Sequence, residues 1–254
     1  MILDGFRLDG RVALVTGANR GLGQGCALAL AEAGADVALL GRTDPLETKE
    51  RVLALGRRVL YLPCDLSATG PEQLSAAIDR VGAELGRLDV VVNNAGIIRR
   101  APAVEVSPTD WDDVITVNLD AVFQLCQAAG RVMIAQGGGK IINIASMLSY
   151  QGGIRVPAYT AAKHAVLGLT RALANEWAGQ GINVNAIAPG YMATDNTAAL
   201  REDPSRATAI LERIPAGRWG TPEDLMGAVV FLSSDLARYV HGAVIPIDGG
   251  WLAR

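Results

Sequence analysis

The stretch RVALVTGANRGLG, residues 11–23, joins a β-branched apolar run to a glycine-rich turn, and helical spacing continues from there to about Gly34. Such an apolar run predicts a strand that is buried on both faces. The same alternation of strand and helix recurs along the chain, with further strand-like runs ADVALLG (35–41), RRVLYLPCD (57–65), LDVVVNNAG (88–96), GKIINIAS (139–146), INVNAIAPG (182–190) and GAVIPIDGG (242–250). The pattern predicts an α/β fold with one doubly wound, parallel, seven-stranded sheet and helices on both faces.

The composition is typical of one large domain. Half of the 254 residues are hydrophobic and 19% are charged, and no linker, charge run or repeat divides the chain. We therefore predict a single domain over residues 1–254. The segment 192–225 fits the alternation least well, because two helical pieces there flank polar turns. We expect it to lie above the carboxyl edge of the sheet as a substrate-side lid.

Charge and residue usage exclude several classes of function. The formal net charge of −3 argues against a nucleic-acid partner, which needs a concentrated basic surface. The first residues match neither a signal peptide nor a membrane span, which predicts a cytoplasmic protein without a membrane partner. The sequence predicts no metal site and buried structural thiols, because ligand spacing is absent among Cys26, Cys64, Cys126, His164 and His241.

The glycine-rich turn is a candidate phosphate-binding loop. Gly17, Gly21 and Gly23 have the spacing GxxxGxG between the first strand and the first helix. Glycines allow backbone N–H groups to approach a pyrophosphate, whose charge is favoured at a helix N-terminus. Turns from strand to helix also use glycine for steric reasons alone, so the loop is supporting evidence for a dinucleotide cofactor.

The end of the second strand bears on cofactor choice. A ribose-binding acid is expected there, but the sequence has Gly41 followed by Arg42. Arg20 and Arg42 could bracket the 2′-phosphate of NADP, or they could be solvated surface arginines. Asp65 follows the third strand, where it could lie near an adenine or cap the next turn.

Tyr159 and Lys163 lie one helical turn apart and project from the same face. A nearby ammonium favours phenolate, so we expect Lys163 to lower the pKa of Tyr159 from about 10 and let it exchange a proton with an alcohol or carbonyl oxygen. A pair with this spacing could also belong to an ordinary helix surface.

Ser146 and Asn118 add to this pair. Ser146 ends the fifth strand, where its hydroxyl could hold a substrate oxygen against Tyr159, or could cap a turn. Asn118 interrupts an apolar helical stripe. A buried amide needs partners, so Asn118 either ties its helix to neighbouring backbone, or anchors a water, or does both.

Together these residues resemble the classical short-chain dehydrogenases/reductases over essentially the whole chain, through Thr16-Gly17-x-x-x-Gly21-x-Gly23, Asn93-Asn94-Ala95-Gly96, Asn118, Ser146, Tyr159-x-x-x-Lys163 and Pro189-Gly190. The resemblance implies a Rossmann-type, NAD(P)-dependent alcohol dehydrogenase or ketone reductase. It implies that Tyr159 is the general acid/base, Ser146 positions the substrate oxygen, Lys163 binds the nicotinamide ribose and Asn118 holds a proton-relay water.

The resemblance also implies further contacts and an assembly. Cofactor contacts are expected from the residues already named and from Asn19, Leu22, Leu66, Asn93, Ala95, Gly96, Pro189, Gly190, Met192 and Thr194. A homotetramer is expected, with the fifth and sixth helices and the C-terminal strand at its interfaces.

Within the family, the segments IIRRAPAVE, INIASMLSYQGGIRVPAYTAAK and RIPAGRWGTPEDL are most similar to dehydrogenases of sugar acids from pectin-type uronates, a subgroup that implies NAD. The carboxylate of a sugar acid needs a cation. Candidate substrate contacts are Arg99, Arg100, Met147, Gln151, Arg155, Tyr191 and Trp219. Alternatively, Arg100 pairs with Glu105 and Trp219 serves packing.

Two other functions remain open from the sequence. One is another reductase of the same family, such as a 3-oxoacyl-carrier-protein reductase or a gluconate 5-dehydrogenase. The other is a dinucleotide-sensing protein that binds the cofactor without turnover.

Overall fold

Seven short strands form one parallel sheet in the computed structural model, which describes all 254 residues. Their order across the sheet is β3-β2-β1-β4-β5-β6-β7, and every neighbouring pair is parallel. The predicted seven-stranded, doubly wound architecture is confirmed. The strands are β1 Val12–Thr16, β2 Asp36–Gly41, β3 Val59–Pro63, β4 Val90–Asn93, β5 Gly139–Ile144, β6 Ile182–Pro189 and β7 Val244–Ile247.

Nine α-helices connect or follow these strands. They are α1 Gly21–Glu32, α2 Leu46–Ala54, α3 Pro71–Leu85, α4 Pro108–Ile115, α5 Ala121–Gln136, α6 Pro157–Trp177, α7 Ala198–Glu202, α8 Pro204–Arg213 and α9 Glu223–Ser233. A π-helical turn, Thr116–Asp120, joins α4 directly to α5. No helix has both the length and the apolar composition needed to cross a bilayer.

The sheet separates two hydrophobic clusters because alternate strand residues point to opposite faces. Val12 and Leu14 of β1 pack with α3, α5 and α6, whereas Ala13 and Val15 pack with α1, α2 and α9. Each fully buried leucine or valine contributes roughly 1.5–3 kcal/mol relative to an exposed one. Helices therefore cover both faces of the sheet.

The buried thiols agree with their predicted structural role for two of the three cysteines. Cys26 and Cys126 are fully buried, and burial raises the pKa of each thiol to about 12. Cys64 is only half-buried, and burial also raises its pKa. Thiolate chemistry near neutral pH is disfavoured at all three.

The strand order creates the crevice in which ligands bind. The chain runs outward from β1 to β3 on one side and from β4 to β7 on the other, so the order reverses between β1 and β4. In doubly wound sheets the ligand crevice lies beyond the carboxyl ends of the strands at this reversal.

The segment 192–225 crosses above this edge and contains the two helical pieces that its sequence predicts, α7 and α8. A bridge between Met192 and Gly220 closes its base. The carboxylate of Asp203 accepts hydrogen bonds from the backbone N–H groups of Ser205 and Arg206 and so caps α8. Its role as a lid stays a prediction.

Candidate active site

A cavity of about 1000 Å³ opens at the carboxyl edge of the sheet. The glycine loop, the ends of β4 to β6, the start of α6 and the segment 192–225 surround it. It brings together most of the predicted site residues: Gly17, Asn19, Arg20, Gly21, Leu22, Gly23, Arg42, Asp65, Leu66, Ala95, Gly96, Ser146, Tyr159, Lys163, Pro189, Gly190, Met192 and Thr194. Asn93 and Asn118 lie outside this lining.

The glycine loop has the backbone geometry that a phosphate requires. Gly17 and Gly21 have positive φ angles of 66° and 57°, which side chains other than glycine rarely adopt. A Cβ at Gly23 would overlap the carbonyl oxygen of Gly17. No side chain caps the start of α1 after Arg20, so the N–H groups of its first turn are free to bind an anion. The loop therefore fits the pyrophosphate of a dinucleotide.

Asn94 and Thr16 join the ends of β4 and β1 beneath this loop. The Asn94 Nδ2 donates to the Thr16 carbonyl oxygen at 2.9 Å, and the Thr16 hydroxyl accepts from the N–H groups of Asn94 at 3.0 Å and Ala95 at 2.9 Å. These bonds hold the two strand ends in register at the point where the order of the sheet reverses.

Asn93 points away from the cavity, against the expectation of a cofactor contact. Its side chain is buried and donates to the Asn143 Oδ1 at 2.9 Å, and Asn143 in turn donates to the Thr170 hydroxyl at 3.0 Å. In β4 the alternation of side chains turns Asn93 into the layer of α5 and α6. The buried polar chain that supports β5 was not predicted, although an asparagine within an apolar strand run is a visible signal for it.

Arg20 and Arg42 line the cavity, and each has an acidic neighbour. Arg20 pairs with Asp195 at 2.7 Å, and Arg42 lies 3.9 Å from Asp65. Asp65 itself accepts hydrogen bonds from the Ser67 N–H and hydroxyl groups, which lower its pKa. Asp65 thus caps the following turn, one of the two roles that the sequence left open, while it also faces the cavity.

Tyr159, Lys163 and Ser146 meet where the cavity reaches β5 and α6. The Lys163 Nζ lies 5.6 Å from the centroid of the Tyr159 ring and donates to the Ile144 carbonyl oxygen at 2.6 Å. Ser146 caps the turn that follows β5 by accepting from the Leu148 N–H at 3.1 Å, and its hydroxyl is near enough to the Tyr159 phenol to influence its pKa. Both predicted roles of Ser146 are compatible with this geometry.

Burial sets the pKa values of the pair. It lowers the pKa of Lys163 to about 8, because the residue is only 4% exposed and its ammonium is desolvated. Burial also raises the pKa of Tyr159, while the nearby Ser146 hydroxyl and the charge of Arg100 act in the opposite direction. The expectation that the pKa of Tyr159 is lowered is therefore wrong, since desolvation of the phenolate has the largest effect.

Ser149 positions this group and was missed by the sequence analysis. Its hydroxyl donates to the Lys163 carbonyl oxygen at 2.7 Å and accepts from the Ser146 N–H at 3.2 Å. The bonds connect the loop after β5 to α6 and so fix Ser146 relative to Lys163. A second serine three residues after Ser146 is the only sequence signal for it.

Asn118 lies fully buried within the π-helical turn between α4 and α5. Its Oδ1 accepts from the Ile97 N–H at 2.9 Å and its Nδ2 donates to the Ile97 carbonyl oxygen at 2.8 Å. The amide thus ties its helix to neighbouring backbone, as one of the two predicted roles requires. Ile97 itself lines the cavity.

The predicted substrate contacts divide into two groups. Arg99, Arg100, Met147, Gln151 and Tyr191 line the cavity, whereas Arg155 and Trp219 do not.

Two of the expected contacts serve the local structure. Arg155 adopts a positive φ of 64°, and its carbonyl oxygen accepts from the Ala101 N–H at 3.1 Å. Trp219 packs edge-on against Tyr191 with 5.5 Å between ring centroids, in agreement with the packing alternative.

The arginines near the fourth strand have partners other than those expected. Arg99 pairs with Asp110 at 3.4 Å and with Asp113 at 3.1 Å. The Arg100 Nη2 donates to the Asn196 carbonyl oxygen at 2.9 Å, and no ion pair joins Arg100 to Glu105.

Arg206, Arg213 and Trp251 also line the cavity and were not predicted. The two arginines are seven residues apart on α8, and the tryptophan lies in the turn after β7. Seven residues is two helical turns, so the spacing in the sequence is a signal that both face the same side.

Comparisons with known proteins agree with this geometry. Residues 17–252 match a family described as enoyl-(acyl carrier protein) reductase. The chain is 59% identical over 255 residues to the 2-dehydro-3-deoxy-D-gluconate 5-dehydrogenase of Escherichia coli, with 100% of both chains covered. It is 52% identical to the Bacillus subtilis protein of the same name, with 99% of this chain and 98% of that protein covered.

A comparison with a solved structure also agrees with this geometry. The gluconate 5-dehydrogenase of Burkholderia cenocepacia, in complex with NADP and tartrate, is 41% identical, and the two structures superpose with a TM-score of 0.95 over 100% of both chains. The glycine loop, the Ser146, Tyr159 and Lys163 group and the full-length similarity establish that this chain belongs to the short-chain dehydrogenase/reductase family.

Proposed function

We propose that the chain transfers a hydride between NAD(P) and a secondary alcohol or ketone of a sugar acid, most specifically as a 2-dehydro-3-deoxy-D-gluconate 5-dehydrogenase. The observation that carries the proposal is the pair of half-buried Tyr159 and buried Lys163 beside Ser146, in the same cavity as the glycine loop. Membership of the family makes the chain an oxidoreductase that acts on CH–OH groups. The full-length relatives at 59% and 52% identity support the sugar-acid substrate.

The bound nicotinamide would accept or donate the hydride at the carbinol carbon. The glycine loop and the first turn of α1 would hold its pyrophosphate. The protein residues then manage the proton and the substrate position. Tyr159 would exchange a proton with the substrate oxygen, and the Ser146 hydroxyl would hydrogen-bond the same oxygen and orient it.

Lys163 would bind the nicotinamide ribose and would also interact with Tyr159 through its ammonium group. Its Nζ uses one of three donors on the Ile144 carbonyl oxygen, so the others remain for the ribose and the tyrosine. Asn118 would act as a positioning residue, because its buried amide already holds both polar groups of Ile97. A proton-relay water at this turn would then be bound by groups other than that amide.

Arg20 and Arg42 are the basis on which we propose a choice between NAD and NADP. The absence of an acid at the end of β2 removes the usual ribose partner that selects NAD, and the two arginines could contact a 2′-phosphate. The relative that was solved with NADP supports use of that cofactor. The protein is therefore expected to accept NADP, with NAD as the alternative that the resemblance to the sugar-acid subgroup implies.

The cellular location, the metabolic role and the oligomeric state are proposed as well. We expect the chain to act in the cytoplasm on a product of pectin-type uronate breakdown, as a homotetramer. Apolar side chains on the outer surface support such an assembly, since Trp111 of α4 and Phe123 of α5 are 40% and 43% exposed. β7 also leaves one edge of the sheet unpaired.

The test is a set of initial rates with 2-dehydro-3-deoxy-D-gluconate, 2-deoxy-D-gluconate and gluconate, each with NAD and with NADP. Turnover of the first or second substrate is expected, and Tyr159→Phe should lower kcat by about 10²- to 10⁴-fold with little change in dinucleotide affinity. Turnover of gluconate alone would favour a gluconate 5-dehydrogenase, which the solved relative makes the second candidate.

Two outcomes would overturn the proposal. Activity on an acyl thioester with none on sugar acids would identify another reductase of the family. Tight dinucleotide binding without turnover of any substrate would instead favour a sensing protein.

A further inference from the structure

Arg213, the last residue of α8, is a cation in the cavity without an acidic partner. The centre of its guanidinium group lies 4.0 Å from the centroid of the Trp251 ring, and its Nη2 donates to the Gln151 Oε1 at 3.3 Å. All three side chains line the cavity. Three other arginines of this region pair with acids, in Arg20–Asp195, Arg99–Asp113 and Arg218–Asp224. Arg100 and Arg206 also line the cavity without an ion pair, but Arg100 donates to the Asn196 carbonyl oxygen, and only Arg213 lies over an indole ring.

The position of Arg213 is fixed from both ends of its helix. Asp203 caps the start of α8. At the other end, Arg254 donates to the carbonyl oxygens of Glu212 at 2.6 Å and Arg213 at 3.2 Å. A guanidinium stacked on an indole and carried on a helix held in this way loses little further entropy on binding a ligand.

Arg213 is an exposed residue that borders an apolar cluster. Trp251 belongs to a buried apolar cluster with Met147, Ile210 and Ile214, and the Tyr191 ring lies 4.8 Å from the Trp251 ring. Charges act over a longer range beside such a group than they do in water. The charges of Arg206 and Arg213 both lower the pKa of Tyr191 against the larger effect of burial, so the potential at that hydroxyl is positive.

A donor without a partner lies at the same place. The Trp251 Nε1 is buried and has no hydrogen-bond acceptor. A buried donor of this kind is unfavourable unless it is paired. An anionic or hydroxyl-bearing ligand that reached this nitrogen beside Arg213 would supply the missing acceptor.

We propose that Arg213 binds the substrate carboxylate, and that Gln151 and the Trp251 ring hold its guanidinium in the orientation for a bidentate contact. This inference rests on the proposed sugar-acid function and identifies the residue that would make the enzyme specific for an acid. In 2-dehydro-3-deoxy-D-gluconate the carboxylate lies at the far end of the carbon chain from the carbon oxidised, so it would lie away from Tyr159, toward the lid. Arg99 is paired, Arg155 lies outside the cavity and Arg20 lies at the glycine loop.

The assignment is tested with Arg213→Met and Arg213→Lys, and with Arg206→Met as the matched control from the same face of α8. Each protein is assayed with the sugar acid and with its carboxamide, which keeps the reacting carbon and removes the charge. For Arg213→Met we expect kcat/KM for the acid to fall about 10- to 100-fold, mostly through KM, with little change for the carboxamide. Arg213→Lys should recover part of the loss.

The outcomes separate this inference from the proposed function. An equal loss on acid and carboxamide would mean that Arg213 acts through the structure of the lid and would overturn the inference. A larger loss of acid selectivity in Arg206→Met would move the assignment to that residue and would equally overturn it. If the wild-type protein turns over neither compound but still reduces a simple ketone with the same cofactor, the sugar-acid function itself fails.

Discussion

At the scale of single residues, the burial of Lys163 has a cost that depends on pH. Its pKa is about 8 in the folded protein and 10.5 for the ordinary side chain. Below pH 8 both states hold the proton, so the cost of burying the ammonium is fully present. Between pH 8 and 10.5 only the unfolded state holds the proton, so the free energy of unfolding rises with pH.

We expect this rise to amount to about 3 kcal/mol, at about 1.4 kcal/mol per pKa unit. Urea unfolding from pH 7.5 to 10.5 measures it, with Lys163→Met as the variant that keeps the side-chain volume and removes the charge. The difference in the free energy of unfolding between the wild type and Lys163→Met should change across this pH range. If the free energy of unfolding changed with pH equally in both proteins, the Lys163 ammonium would be better solvated than its surroundings indicate.

At the scale of structural elements, the turn from β1 to α1 depends on the absence of side chains. A Cβ at Gly23 would overlap backbone atoms of Gly17, whereas a Cβ at Gly82 in α3 would meet open space. Gly23→Ala should therefore abolish dinucleotide binding and lower stability. Gly82→Ala should leave binding unchanged and raise the free energy of unfolding by about 0.5–1 kcal/mol. Calorimetric titration and urea unfolding measure both, and unchanged binding in Gly23→Ala would contradict the steric argument.

The pair of Arg20 and Asp195 links the glycine loop to the segment 192–225 and should influence cofactor choice. If Arg20 contacts a 2′-phosphate, Asp195 competes with that phosphate for the guanidinium. We expect Asp195→Ala to bind NADP several times more tightly and NAD about as well as the wild type, since an exposed pair is worth about 1 kcal/mol at most. Equal changes for both dinucleotides would remove Arg20 from the phosphate site.

At the scale of the whole molecule, the exposed apolar surface bears on assembly. Phe123→Asp places a charge on the face of α5 proposed to pack in the tetramer, and Leu53→Asp makes the same change at an exposed leucine of α2. Light scattering should show a smaller particle for the first variant and a tetramer for the second. A tetramer in both would assign the interface to another surface.

The overall fold follows from the sequence because strand and helix runs alternate without interruption. The runs overestimate strand length, since RRVLYLPCD yields only Val59–Pro63. The carboxyl ends of the strands set the place of Ser146 and the glycine loop, so these could be predicted as well.

What could not be predicted depends on tertiary contacts. Asn93 faces the layer of α5 and α6 because of its register in β4, and Arg99 is neutralised by acids of α4. The pKa of Tyr159 follows from its burial, which the spacing of Tyr159 and Lys163 does not reveal. Arg213 reaches the cavity only because the segment 192–225 folds back over the sheet edge, next to Trp251.

The aromatic group formed by Tyr191, Trp219 and Trp251 also gives the molecule a built-in optical reporter. The ring of Trp251 lies under the Arg213 guanidinium and within the buried cluster below the lid, so its emission depends on what occupies that space. An acid that binds the guanidinium held over the indole would change the fluorescence without any turnover, and Trp251→Phe would silence the change. Binding at the lid could thus be followed in real time, without a label and independently of the chemistry at Tyr159.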